Sequence, residues 1–153
     1  MDGLRTLLSE YDVLAAFWLT IKLTVLSALG ALVIGTFVAI MRVSPIAVLR
    51  TFGTAYVTVV RNTPLTLIVF VCAFGLYNNL GIRLASENSP TSIVDNNFRF
   101  GVIALAVYHA AFVAEALRSG INTVPQGQAE AARAIGLSFV PTLTNVILPQ
   151  AFR

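Results

Sequence analysis

Residues 23–41 carry no charge, and apart from Lys22 the uncharged run reaches back to Val13. A helix rising about 1.5 Å per residue needs roughly 20 apolar residues to cross the hydrocarbon core of a bilayer. In that core every backbone N–H and C=O must be bonded within the segment, so a lone run of this kind has to be helical. A second uncharged stretch, 62–82, is preceded by the apolar residues 56–60, and a third apolar body runs from Phe98 to about Leu117 with His109 and Glu115 inside it. The expectation is an all-α, polytopic membrane helical bundle with three transmembrane helices, about 13–41, 55–82 and 98–118. Composition agrees: 57% hydrophobic residues and 11% charged, with a mean hydropathy of +0.82, stand far from the quarter charged of an average soluble domain.

Small residues mark the packed face of the first helix, where Gly30 and Gly35 fall among Ala28, Ala31 and Ala39 and allow a neighbouring backbone to approach. Lys22 reads as a side chain snorkelling to the outer membrane surface, with a substrate contact as the alternative. Pro45 ends the first helix, and Thr63-Pro64 kinks or restarts the second. Residues 83–99 are polar and turn-rich, an external loop in which Asp95 or Asn96 is a candidate cap for the third helix. The basic residues Arg5, Arg83 and Arg99 fall in the outer segments, whereas Arg42, Arg50, Arg61, Arg118, Arg133 and Arg153 fall in the inner ones. The bias places the N-terminus outside a plasma membrane crossed several times, with 42–61 and 119–153 on the cytoplasmic side.

The acidic start of the chain, with Asp2, Glu10 and Asp12 against Arg5, is the reverse of a secretory signal. A pI near 9.5 raises nucleic-acid binding, but the cations are scattered singly between apolar runs, so none is expected. Cys72 is the single cysteine, which excludes an internal disulfide or a multi-cysteine metal site. No repeat or linker divides the chain, so residues 1–153 read as one domain.

The last stretch is different in kind. Ala129, Ala131, Ala132 and Ala134 predict a short helix over 129–135. Gly136 is placed to end it in the left-handed conformation, Ser138 to cap a second helix with Pro141 in its first turn, and Pro149 to limit that helix. Two short helices joined by a tight turn thus follow the third membrane helix, within 119–149. Taken alone, Glu130 reads as an i,i+3 partner of Arg133 on a solvated face.

The string Glu130-Ala131-Ala132, three residues, Gly136, ten residues, Ile147-Leu148-Pro149 resembles the EAA loop of bacterial ATP-binding-cassette (ABC) importer permeases. Arg61-Asn62-Thr63-Pro64-Leu65 is similar to their Arg-Gly-Thr-Pro-Leu, with Asn62 in place of the usual glycine. Phe112-Val113-Ala114-Glu115 with Arg118 and Gly120 resembles their third-helix motif, and Gly127-Gln128 precedes the EAA as in the polar amino-acid permeases. The resemblance covers roughly 17–153. It implies a cytoplasmic coupling loop that docks on an ATPase through Gln128, Glu130, Ala131, Ala132 and Gly136. It also implies two cytoplasmic ATPase subunits, a second permease subunit or a copy of this one, and an extracytoplasmic substrate-binding protein, all working within membrane lipid. The segments Asn62-Thr63-Pro64-Leu65, 74–81 and 119–124 look most like actinobacterial glutamate-uptake permeases, making glutamate the expected substrate. Such permeases continue past the Leu-Pro segment into further membrane helices, so a truncated permease or partial gene model is expected.

Other polar residues have plainer readings. Glu115 and Arg118, three apart, are expected to form a structural charge pair at the helix end, a substrate contact being the alternative. His109 reads as hydrogen-bonded within the bundle or, with Tyr108 and Phe112, as lining a polar pathway. Thr20, Thr24, Ser27 and Thr66 can bond their own helix backbones. No catalytic constellation, metal site or cofactor is expected. The chain has no phosphate-binding Gly-Lys-Ser loop, so ATP is expected to be hydrolysed by a partner chain. The rival reading is a non-transporting membrane scaffold or assembly protein, which predicts no ATPase partner.

Overall fold

The computed structural model describes residues 12–151, which are helical wherever they are regular. The elements are α1 (Val13–Val43), α2 (Ala47–Arg61), α3 (Leu65–Phe70) running into a π-helical segment (Val71–Asn79), α4 (Ser92–Asn122), α5 (Gln126–Ala134), α6 (Phe139–Thr142), a second π-helical segment (Leu143–Ile147), and α7 (Leu148–Ala151). α1 and α4 are each long and apolar enough to cross a membrane, and α2 with the Leu65–Asn79 stretch makes a broken third candidate. Many of their large apolar side chains are exposed, Leu14, Phe37, Val59 and Phe70 among them, as expected of surfaces that meet lipid.

The helices gather into two compact units. One gathers residues 12–32 with Thr63–His109. The other gathers Val33–Asn62 with residues 110–151.

In the first unit Thr20, Thr24 and Ser27 donate their hydroxyls to the carbonyls four residues back, as expected. Lys22 lies exposed with its Nζ 5.8 Å from the centre of the Trp18 ring, which fits a snorkelling side chain beside an interfacial aromatic. Gly30 meets Ala106 so closely that a Cβ at position 30 would come within 2.9 Å of the alanine's own. The π-helical segment closes at Gly81, which takes φ +65°, and Ile82 donates its N–H to Leu76. That turn was not anticipated.

The 83–99 loop is shorter than expected because α4 starts at Ser92. Asp95 and Asn96 therefore sit inside the first turns of α4 rather than capping it. Asn96 is fully buried, and its Oδ1 accepts the N–H groups of Leu84 at 2.7 Å and Ala85 at 3.1 Å. Its Nδ2 donates to the Ser92 carbonyl, and Arg99 donates to the Leu84 carbonyl. A polar side chain with each end bonded can be buried without penalty, and here it ties the loop to the helix.

The expected helix 55–82 proves to be two elements, α2 in the second unit and the Leu65–Asn79 stretch in the first. α2 begins at Ala47 and stops at Arg61, and helix resumes at Leu65 after Pro64 at φ −58°, ψ 137°. Pro64 has no N–H to give to the preceding turn and disfavours helical geometry at Thr63, so the break falls where chain chemistry puts it. Asn62 adopts φ −89°, ψ 1°, a negative φ that does not require glycine. Its Nδ2 donates to the Thr58 carbonyl. Small residues again govern packing, with Ala39, Ala110, Ala111 and Ala114 in the core. A Cβ at Gly35 would lie 2.7 Å from the Cβ of Val113 and 2.8 Å from the Ala110 carbonyl oxygen.

Candidate functional site

The alanine-rich helix forms as α5, Gln126–Ala134, three residues earlier than the sequence predicts, with Pro125 in extended geometry just before it. Its end is a complete Schellman turn. Gly136 takes φ +90°, its N–H reaches the Arg133 carbonyl at 2.9 Å, and the N–H of Leu137 reaches back to Ala132 at 3.1 Å. These two bonds satisfy carbonyls that a helix end otherwise leaves open, and the left-handed residue between them suits glycine. Ser138 then occupies the N-cap position of α6 as expected, but its side chain makes no capping bond. Thr142, buried, instead donates its hydroxyl to the Leu137 carbonyl.

Pro149 does not limit the final helix: it lies inside α7, directly after the π-helical Leu143–Ile147. Proline removes the donor that an ordinary turn requires, and a wider turn ahead of it lets the chain continue helically.

The five residues of the expected docking set divide by exposure. Ala132 is buried, whereas Gln128, Glu130, Ala131 and Gly136 are exposed. Gln128 Oε1 accepts a long hydrogen bond from Gln150, which also donates to Val146, so α5 is tied to the end of the segment. Glu130 forms no ion pair with Arg133 among the described residues; Arg133 Nε donates to the Ala129 carbonyl instead. Its carboxylate is therefore left to solvent or a partner. The sequence reading missed two neighbours on this segment, Ile135 at 80% and Val140 at 63% exposure. An isoleucine that exposed, one residue before the turn, is an apolar knob beside the small Ala131 surface. Only the direction in which the turn faces it reveals this, since its alternation with Ala134 reads equally well as core.

At the end of α4 the expected Glu115–Arg118 pair exists, at 3.6 Å, but it is the weaker part of a larger cluster. Arg42, from the end of α1, lies 2.5 Å from Glu115, and Arg61, from the end of α2, lies 3.7 Å away. One carboxylate thus joins three helix ends, and Arg42 is only 9% exposed. Arg61 also stands 5.6 Å from the Phe112 ring centre, so Phe112 is engaged at this cluster. Tyr108 and His109 meet edge to face at 5.3 Å, with His109 exposed. Among the described residues no group of His, Cys, Asp or Glu is placed to hold a metal.

Beside the cluster, α1, α2, α4, α5 and α6 enclose a cavity of about 850 Å³. Arg42, Arg50, Arg118 and Arg133 line it, with Ser138 and Thr142.

Comparison with known proteins gives one consistent result. Residues 14–153 match the family described as binding-protein-dependent transport system inner membrane component. The chain is 59% identical over 142 residues to the glutamate transport system permease protein GluC of Corynebacterium glutamicum, covering 93% of this chain and 62% of that protein. It is 42% identical over 137 residues to the probable glutamine ABC transporter permease protein GlnM of Bacillus subtilis, covering 90% and 58%. A solved structure described as an amino acid ABC transporter with histidines matches with a TM-score of 0.66 at 33% identity, covering 92% of this chain and 64% of that one. The chain therefore spans about three fifths of the length of these relatives. The chain belongs to the family of binding-protein-dependent transport system inner membrane components.

Proposed function

We propose that the chain is the permease portion of an ATP-driven importer of polar amino acids, with glutamate as the substrate, and that α5 with the Gly136 turn docks it on a separate ATPase. The observation that carries the docking role is the Schellman turn, which fixes a short alanine-rich helix with Glu130, Ala131 and Ile135 exposed. A small, mostly apolar helix face with one acid suits a groove in a folded partner. Glutamate is supported by the 59% identity to a permease named for glutamate transport.

Coupling then follows from rigidity. ATP-driven closure of the partner moves the docked helix, and the turn passes that motion to α6, α7 and the end of α4 as a lever, biasing the membrane helices between outward and inward access. Transport itself requires a second permease subunit and an extracytoplasmic binding protein. In this topology the N-terminus and the loop before Ser92 face outward while α5 to α7 face the cytoplasm, following the arginine bias.

The test has two arms. The chain, with Cys72 replaced by serine, carries a single new cysteine at Ser89 or Ser138, and intact cells are treated with an impermeant thiol reagent. Labelling at 89 and protection at 138 are expected; the reverse pattern overturns the orientation. Separately, the chain is co-expressed with an ATPase that bears a Gly-x-x-x-x-Gly-Lys-Ser/Thr loop and is encoded beside it. Co-purification that is lost on Ile135→Asp is expected, and failure of the unaltered chain to retain the ATPase overturns the docking role.

A further inference from the structure

Both membrane-length helices stop at the arginine-lined cavity, α1 at Val43 and α4 at Asn122, and both residues form part of its wall. Four guanidinium groups line it, and among the described residues no carboxylate does. Glu115, outside the wall, already answers to Arg42, Arg61 and Arg118. Arg50 and Arg133 form no ion pair among the described residues; each donates to a backbone carbonyl, of Ser44 and Ala129 respectively. The buried Nε of Arg42 has no hydrogen-bond partner among them.

Helix dipoles explain only part of this. Arg42, Arg118 and Arg133 lie toward the C-terminal ends of α1, α4 and α5, where positive charge is favoured, but Arg50 sits in the first turn of α2, where it is not. Its N–H bonds back to Ile46 at the helix start. A cation held against the dipole, lining the same cavity as three more cations, calls for an anion among them. The depth of the site indicates which: the ends of two membrane-length helices lie where lipid phosphates lie, and basic pockets between such helices take anionic headgroups. The rest of the wall suits the glycerol and upper chain of a lipid, with Val43, Ile121, Leu143 and Ile147 apolar and Ser138 and Thr142 carrying hydroxyls. Guanidinium forks match phosphate oxygens in pairs.

We propose that this cavity binds the phosphate headgroup of an anionic phospholipid, held by Arg50 and Arg133 with Arg42 and Arg118 behind them. The site is independent of the ATPase-docking role, since it needs neither the partner nor the exposed face of α5.

The test uses the 153-residue chain in nanodiscs of equimolar phosphatidylglycerol and phosphatidylcholine, with native mass spectrometry counting retained lipids. Retention of phosphatidylglycerol over phosphatidylcholine is expected. Arg50→Gln and Arg133→Gln should each lower that preference about fivefold, and about 25-fold together. Arg50→Lys should keep most of it, and Arg83→Gln, which lies outside the wall, should leave it unchanged. Circular dichroism of each variant establishes that the helices remain. Equal retention of the two lipids by the unaltered chain, or an undiminished preference in the folded double variant, overturns the site. Displacement of the lipid by excess inorganic phosphate, with a phosphate adduct in its place, overturns the lipid as ligand.

Discussion

Replacing Gly136 by valine tests the proposed coupling role of this segment at its narrowest point. A Cβ at this position would meet nothing within 4 Å, so the penalty is not steric crowding by neighbours but the backbone conformation itself. At φ +90° a non-glycine residue costs about 1–3 kcal/mol, with β-branched residues at the upper end. The chain can escape by leaving the left-handed region, but it then loses the bonds from Gly136 to Arg133 and from Leu137 to Ala132. Those are worth about 0.5–1.5 kcal/mol each, so escape costs much the same as staying. Either way the turn loses about 2 kcal/mol, roughly a 30-fold fall in its population relative to open forms. α1 and α4 lie elsewhere in the chain, and membrane insertion should persist. The assay compares membrane level, ATPase co-purification and amide exchange at Leu137 for valine, alanine and asparagine at 136. Asparagine, which tolerates positive φ, should be mildest and valine most severe. Glu130→Ala is the comparator: exposed and outside any described ion pair, it should leave exchange unchanged and weaken ATPase association by about 1–3 kcal/mol. Normal ATPase retention and unchanged Leu137 protection in Gly136→Val would refute the argument that this turn sets the docking geometry.

Three further outcomes follow from packing and charge. Glu115→Gln leaves Arg42, Arg61 and Arg118 facing one another; because Glu115 is 32% exposed, the loss should be about 1–3 kcal/mol rather than that of a fully buried pair. Arg118→Gln should cost under about 1 kcal/mol, and thermal unfolding in detergent that reverses this order would show Arg118 to be the principal partner. Asn96→Ala strips the acceptor from the N–H groups of Leu84 and Ala85, at about 1–3 kcal/mol for each left unbonded, and should speed exchange at those two amides. Gly35→Ala should destabilise by about 1–3 kcal/mol, because the Ala110 carbonyl and the base of Val113 cannot swing away. Gly127→Ala, in open space within α5, should instead stabilise by up to about 1 kcal/mol, and equal melting shifts for the two would contradict the packing account.

Features governed by a few adjacent residues were legible in the chain itself. The charge-free length of α1, the stop at Pro45, the interruption at Thr63-Pro64, the alanine-rich helix and the left-handed Gly136 each depend on chemistry within about one turn, so their physical cause travels with the local sequence. The EAA pattern carried the family for the same reason. Boundaries set by longer contacts were not legible. α4 reaches back to Ser92 because buried Asn96 has two loop amides to accept, and polarity alone made that residue look like a cap. Nothing near Glu115 identifies Arg42, 73 positions away, as its closest partner; Arg118 was the neighbour visible in sequence. Likewise nothing beside Ile135 in the sequence shows that it stays exposed next to the Gly136 turn. Local backbone chemistry, being short-ranged, is determined by sequence, whereas which charges meet and which apolar side chains remain exposed is decided only when distant helix ends pack together.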